Sequence, residues 1–462
     1  HWADDASAHM LDRIARATAS QPWKLISARR DDEGGFRTGV GFRVPVGPIP
    51  DETIRALTID ATAAAPLRPH EMDLVVSRAA GSPLFVRELI AAAQELGSLD
   101  AVPESLQGTL AAQVDALDPL SKRIVSYASV LGRSFRRTVV IEFLRREGLE
   151  LDQATIDHLG RFIETDGPLR YRFRNGLVRD VVYDGLSFRL RARLHQEAGE
   201  AIETLSEGHE ADSAMLSLHF SKAGDVERTF RYASVAALRA DRSNVASDAA
   251  VHYERAIDAA KRIDDVADDD VRRLLIGLGD ALQQAGLFDA ALDAYRRAAR
   301  IARDDPVGRA EIHLRCAQVR EVSGAYSLAL AETSRGRKLA ATVDGSAGEP
   351  VQARLLALAA IVRYRQKHAE QARRVGLEAA ELAQRCGERK ALATAYTAIF
   401  LAEVQLGREG TASWARQALE LYEALGDLEG QAAMANNLGV IAYFESRWDC
   451  LLYTSDAADE DC

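Results

Sequence analysis

Few residues in this chain have types and spacings suited to covalent chemistry. Asp4, Ser7 and His9 place an acid, a hydroxyl and an imidazole within about one helical turn. A nucleophile site also needs an oxyanion device and a base steadied by a third group, and one turn supplies neither. His195, His219 and His252 fall in separate helical patterns, without the convergent spacing of a metal site, and read as satisfied surface or core histidines. Arg189, Arg191 and Arg193 beside His195 form the clearest basic cluster, and on an acidic chain they read as a solvated helix face or an intramolecular contact. No Gly-x-x-x-x-Gly-Lys-Ser/Thr loop occurs, so nothing cradles a β-phosphate and no hydroxyl is placed for magnesium. No catalytic residue and no metal ligand is therefore assigned.

Arg29 is better placed. An amphipathic stretch (Ala8, Leu11, Ile14, Ala15) precedes the apolar run from Trp23 to Arg29, which predicts helix then strand in a parallel α/β sheet. Functional groups in such sheets gather at the carboxyl ends of strands, where Arg29 could reach a phosphate or sense its loss. Pro83 follows Gly81-Ser82 at the expected start of a helix, where its missing N–H costs little.

The elements beyond these positions are dominated by a repeat. Gly286, Gly324, Lys367 and Gly407 are each followed five residues later by an alanine: Ala291, Ala329, Ala372 and Ala412. Small residues stand seven before the turn at Gly279, Ala317 and Ala360, so two antiparallel helices can approach closely there. The best unit carries Leu278, Gly279, Leu282, Ala291, Tyr295 and Ala298, with Pro306 expected to end its second helix. A later unit starts at Asn437-Leu438-Gly439, and its second helix should start near Ser446-Arg447-Trp448. Turns at 286, 324, 367, 407 and 446 are 38, 43, 40 and 39 residues apart, longer than the ~34 of the commonest helical-hairpin repeat. Gly224 with Tyr232 and Ala236, and the segment Ala250, Tyr253, Ala256, predict more divergent units, with Thr229 at the first one's alanine position.

This half resembles the tetratricopeptide repeat family. The first half resembles the STAND-type signal-transduction ATPases of the AAA-like P-loop class, on three matches. His1-Trp2-Ala3-Asp4 is similar to the segment after the acidic Walker B strand, which implies a sensor role for Arg29. Gly81-Ser82-Pro83-Leu84 is similar to the Gly-x-Pro-Leu signature of the helical lid, which implies that Pro83 packs near an adenine. The run from Tyr171 to Leu186, continuing to His195, resembles a segment found in ATPase regions attached to class III adenylate/guanylate cyclases and in LuxR-type regulators. Asn175 replaces that family's His, so it could donate a hydrogen bond to a diphosphate but not carry charge. The bland alternative for the run is a strand-to-helix packing motif.

The expected fold is mostly α: part of an α/β P-loop ATPase core (1–70), a helical lid (71–115), a winged-helix-like region (116–205) and an α-α superhelical solenoid (206–449). Residues 450–462 resemble a translated sequencing adapter, and both ends look cut, which implies a fragment of a longer parent. Setting that tail aside leaves Cys316 and Cys386, which suits a reducing, cytoplasmic setting. No apolar run approaches the ~18 residues of a membrane span, and a formal net charge of -11 argues against a general nucleic-acid surface. The resemblance implies ATP or ADP with magnesium in the parent, but neither is expected to bind well here without a P-loop. The concave face of 206–449 is expected to hold a protein or small effector. Nucleic acid enters only through a DNA-binding domain beyond these residues. The leading expectation is a regulatory scaffold of a nucleotide-switched ATPase controlling a cyclase. The alternatives are a LuxR-type activator and an adaptor with a decayed ATPase region.

Overall fold

The computed structural model describes residues 47–62, 67, 69–79, 81–96, 106–206, 210–343, 346–408 and 410–444, with 10–11, 13–16, 26 and 44. The strand expected at Trp23 to Arg29 and the helix start expected near Ser446 lie outside the described residues. Two compact units divide the chain, 1–242 with 258–263 and 243–257 with 264–462.

In the first unit, helices α1 (Asp51–Ala61), α2 (Pro69–Ala79) and α3 (Pro83–Leu96) pack around Ile54, Val75, Phe85 and Leu89. Gly81 turns the chain into α3 at φ 79°, as the Gly-Ser-Pro spacing predicts. Helix α4 (Leu106–Asp115) lies against α3, and the Gln113 Nε2 donates to the Glu88 carbonyl at 3.1 Å. Next comes α5 (Pro119–Val130), capped by the Asp118 carboxylate, which accepts from the Leu120 and Ser121 N–H groups. The chain continues through β1 (Ser134–Arg136), α6 (Arg137–Arg146), α7 (Gln153–His158), β2 (Ile163–Thr165), β3 (Arg170–Phe173), α8 (Gly176–Gly185) and α9 (Phe188–Leu205). The strands form an antiparallel sheet in the order β1-β3-β2. Alternation sends Phe135, Tyr171 and Phe173 into a core with Phe143, Leu144 and Leu159, while Arg170, Arg172 and Arg174 are exposed. Helices α10 (Ser213–Ala223) and α11 (Val226–Arg242) form a hairpin around Gly224, with Thr229 buried five residues on.

The second unit is a helical-repeat solenoid. Four hairpins follow one another: α13 (Asp268–Gln284) with α14 (Phe288–Ile301), α15 (Pro306–Val322) with α16 (Tyr326–Ala340), α17 (Glu349–Arg365) with α18 (Ala369–Cys386), and α19 (Arg389–Gln405) with α20 (Ala412–Leu425). Helix α21 (Leu428–Phe444) packs on α20, and α12 (Ala246–Ala260) precedes the series. The first helices α15, α17 and α19 touch one another as well as their partners, so α17 and α19 bury residues around their whole circumference. The second helices bury one alanine-rich stripe, as in α14 and α18.

Three of the four expected turns behave as the spacing predicts. Gly286, Gly324 and Lys367 have positive φ, the next helix starts two residues later, and Ala291, Ala329 and Ala372 are fully buried. The fourth is shifted. Gly410 at φ 75° stands two residues before α20, and Ala415 is the fully buried alanine, whereas Ala412 is only half-buried. Asn244, at φ 53°, begins α12 in the same way and places Ala249 in the core. Pro306 does not end a helix: α14 stops at Ile301, and Pro306 opens α15 behind the capping Asp305.

Close approach is set by tyrosines seated on glycines. A methyl group at Gly277 would lie 2.4 Å from Tyr253, one at Gly279 would lie 2.3 Å from Tyr295, and one at Gly430 would lie 2.3 Å from Tyr422. Among the described residues, no helix is long and apolar enough to cross a membrane.

Candidate functional site

Of the three residues singled out from sequence, Arg29 lies outside the described residues. Pro83 is exposed at the first turn of α3. Asn175 ends the stretch from β3 and caps α8: the Leu177 N–H donates to its Oδ1 at 3.0 Å. That bond uses the acceptor end of the amide. The donor end, Nδ2, is buried and has no hydrogen-bond partner, and an unmade bond of this kind costs about 1–3 kcal/mol.

Asn175 lines a cleft of about 380 Å³ in the first unit. Leu84, the residue after Pro83, lines it too, with Arg87 and Glu88 one turn further along α3. Gln113 of α4 forms part of the floor. Arg161 and Arg174 complete the basic lining. The fold thus brings the neighbourhood of Pro83 to Asn175 across 92 residues of sequence. It also brings in three arginines to which no role was assigned from sequence: Arg87 and Arg174, within the matched segments, and Arg161 outside them. Arg174 was the most legible of these, because alternation with Tyr171 and Phe173 places it on the solvent side.

The electrostatics around Asn175 are cationic. Arg174 is 3.3 Å from Glu164, which also holds Arg172 at 2.7 Å. Arg133 lies over Gly176, where a methyl group would come within 3.0 Å of its guanidinium, and pairs with Asp180 at 2.8 Å. Burial would raise the Asp180 carboxyl, but Arg133 and Arg179 outweigh it and hold the group below its ordinary range. The lining suits an anionic ligand rich in acceptor oxygens: the unpartnered Nδ2 requires an acceptor, and guanidiniums bind planar or tetrahedral oxyanions in a fork. Among the described residues lining the cleft, Glu88 is the one carboxylate, and no Ser, Thr, Cys, His or Lys stands with it.

In the Arg189, Arg191 and Arg193 cluster, Arg189 and Arg193 are exposed and Arg191 is half-buried, and two of the three make intramolecular contacts. Arg191 Nε donates to the Leu186 carbonyl at 3.0 Å and its guanidinium covers the Tyr183 ring, while Arg193 pairs with Glu147 at 3.1 Å. His195 and His219, 24 residues apart, meet in the core with their Nδ1 atoms 3.0 Å apart. His252, in the second unit, has its Nδ1 3.3 Å from Arg255.

No family model matches this chain, and no curated protein matches it. Solved structures show a general likeness. One is a STAND protein with a tetratricopeptide repeat sensor from Pyrococcus horikoshii, at 14% identity and TM-score 0.39, aligned over 89% of this chain and 59% of that one. Another is aspartyl phosphate phosphatase F from Bacillus subtilis, at 9% identity and TM-score 0.40, over 91% and 96% of the two chains. A third is the Rap conjugation gene regulator of the plasmid pLS20 in complex with the Phr* peptide, at 12% identity and TM-score 0.42, over 60% and 80%. This chain therefore spans 59% of the length of the first of these. At such scores none of the likenesses bears on what this chain binds or does.

Proposed function

We propose that this chain is a regulatory scaffold from a nucleotide-switched signalling ATPase. In this reading the second unit holds a protein or small effector. The cleft in the first unit is where the diphosphate of a nucleotide reports to the helix capped by Asn175. The observation that carries the reading is the meeting of the Gly-Ser-Pro-Leu helix start and the Asn175 segment in one cationic cleft. The order helix, strand, two helices, two strands over α5 to β3, with its three-stranded sheet, supports a winged-helix assignment for that region. A cytoplasmic setting suits the free thiols of Cys316 and Cys386.

Nucleotide affinity is expected to be weak on this chain, because it has no P-loop lysine or magnesium-binding hydroxyl. Control of a cyclase domain rests on the resemblance of residues 171–195 alone. Asn175 in place of a chargeable His favours a second reading, an adaptor whose nucleotide response has decayed. Titration of pyrophosphate and ADP, followed by amide shifts or calorimetry, separates the two. Weak saturable binding that Arg87→Ala and Arg174→Ala both diminish is the expected result. No saturable binding leaves the adaptor, and micromolar ATP affinity overturns the absence of a competent nucleotide site.

A further inference from the structure

The buried pair His195–His219 is a cluster that the proposed function does not use. His195 on α9 and His219 on α10 are 4% and 3% exposed. Their rings are 5.0 Å apart, and the outer Nε2 of His195 is 2.9 Å from the Tyr183 hydroxyl on α8. Three consecutive helices are therefore joined through one polar chain. Tyr183 is itself fixed between guanidiniums, with Arg179 4.4 Å and Arg191 5.2 Å from its ring centre.

Proton counting constrains this chain. Two neutral imidazoles carry two protons on four nitrogens, and the hydrogen bond between the facing Nδ1 atoms contains one of them. A third proton makes an imidazolium–imidazole pair, which keeps that bond but buries a charge. A fourth puts two protons between the same nitrogens and destroys the bond.

The charges that face His195 are all positive: Arg179 on α8, Arg191 on α9 and Lys222 on α10. Most carboxylates of the neighbouring helices are engaged elsewhere. Asp180 holds Arg133 and Arg179, Glu142 and Glu200 hold Arg146, Glu147 holds Arg193, and Glu203 and Asp225 hold Arg228. Among the described residues, no carboxylate is hydrogen-bonded to either ring, whose partners are Tyr183 and each other.

We propose that His195 and His219 form a proton-operated latch that fastens α10 to α8 and α9 while both rings are neutral and releases it on protonation. Burial, with the positive neighbours of His195, depresses the two rings to about 3 and about 4. A histidine freed by opening takes up protons at about 6.5. The closed state is therefore favoured above about 6.5 and loses ground as pH falls below it. By linkage, each ring raises the open-to-closed ratio about 30-fold between pH 7.5 and pH 5, so the pair raises it about 1000-fold.

Hydrogen exchange of peptides from α9 and α10, corrected for the intrinsic pH dependence, reads this ratio in the whole chain. Protection in these helices is expected to fall by about three orders of magnitude from pH 7.5 to 5. His219→Gln should leave a fall of about 30-fold, and His195→Gln with His219→Gln should make the profile flat. A wild-type profile that is itself flat overturns the proposal. So does a double variant that keeps the wild-type slope. Should the variants not fold, the wild-type imidazole carbon shifts decide: titration of either ring near 6.5 in the folded chain also overturns it.

Discussion

Replacing Gly279 with Ala isolates the packing on which the solenoid depends. Two effects oppose each other. Alanine is a better helix former than glycine by about 1 kcal/mol, so on an open face of α13 the change would stabilise. Here the new methyl would sit 2.3 Å from Cε1 and 2.6 Å from Cδ1 of Tyr295. That ring cannot retreat, because it is fully buried and its hydroxyl donates to Asp280 at 2.6 Å. Overpacking costs about 1–3 kcal/mol, and a ring that cannot yield puts this site at about 2–3 kcal/mol, so after the helix gain the net expectation is a loss of about 1–2 kcal/mol. Urea unfolding followed by far-ultraviolet circular dichroism measures the sum. Hydrogen exchange over α13 and α14 localises it, since damage in a repeat array stays near its module. A Tyr295→Ala background removes the obstructing ring, and there Gly279→Ala should become stabilising by about 1 kcal/mol. If Gly279→Ala is neutral or stabilising while Tyr295 is present, the close approach of α13 and α14 is not what sets this hairpin.

The shifted fourth turn is tested by Ala415→Leu, expected to cost about 1–3 kcal/mol, against Ala412→Leu, expected to cost well under that; equal losses would restore Gly407 as the turn that sets the register. Asn175→Ala removes the cap of α8 and should cost about 1 kcal/mol in thermal unfolding of the first unit, with Asn175→Asp recovering it through the retained side-chain oxygen. Glu332 is held below the ordinary carboxylate value, chiefly by its hydrogen bond from His313 at 2.7 Å, with Arg335 at 3.0 Å adding to it. A depressed carboxyl gives stability that is present above about 4.5 and is lost as pH falls through its folded value. Glu332→Gln should therefore cost about 1–2 kcal/mol near pH 7, and the gap from wild type should close in acid, as read by denaturant midpoints at pH 7 and pH 3.

The solenoid was legible because its signal is local and repeated: a positive-φ residue, a helix two positions later and an alanine at five. The same rule explains the error at the fourth turn, where Gly407 and Gly410 both satisfy the first requirement and only the start of α20 separates them. Pro306 departs from the expectation because proline both ends helices and begins them, and only the capping Asp305 shows which. In the first unit, the helix start at Pro83 and the strand-to-helix passage at Asn175 could be read from motifs. Their convergence with Arg87 and Arg161 could not, because it depends on how α4 packs against α3 and α8. His195 and His219 could be read as satisfied core histidines, but not as partners, since a pair 24 residues apart on two helices has no fixed periodicity.

The tyrosine-on-glycine contacts in the second unit bear on how such an array can be rearranged by duplication or recombination. Tyr295 meets Gly279 within its own hairpin, whereas Tyr253 and Tyr422 reach Gly277 and Gly430 on the helix that follows. A gene rearrangement that cut between α12 and α13 would part a bulky side chain from its socket and leave both a knob without room and a hole without filling. One that cut between α16 and α17 would strand no tyrosine but would still take Leu355 from Gly336, where a methyl group would lie 2.9 Å from its side chain, so the joints differ in how much bulk a cut leaves unseated.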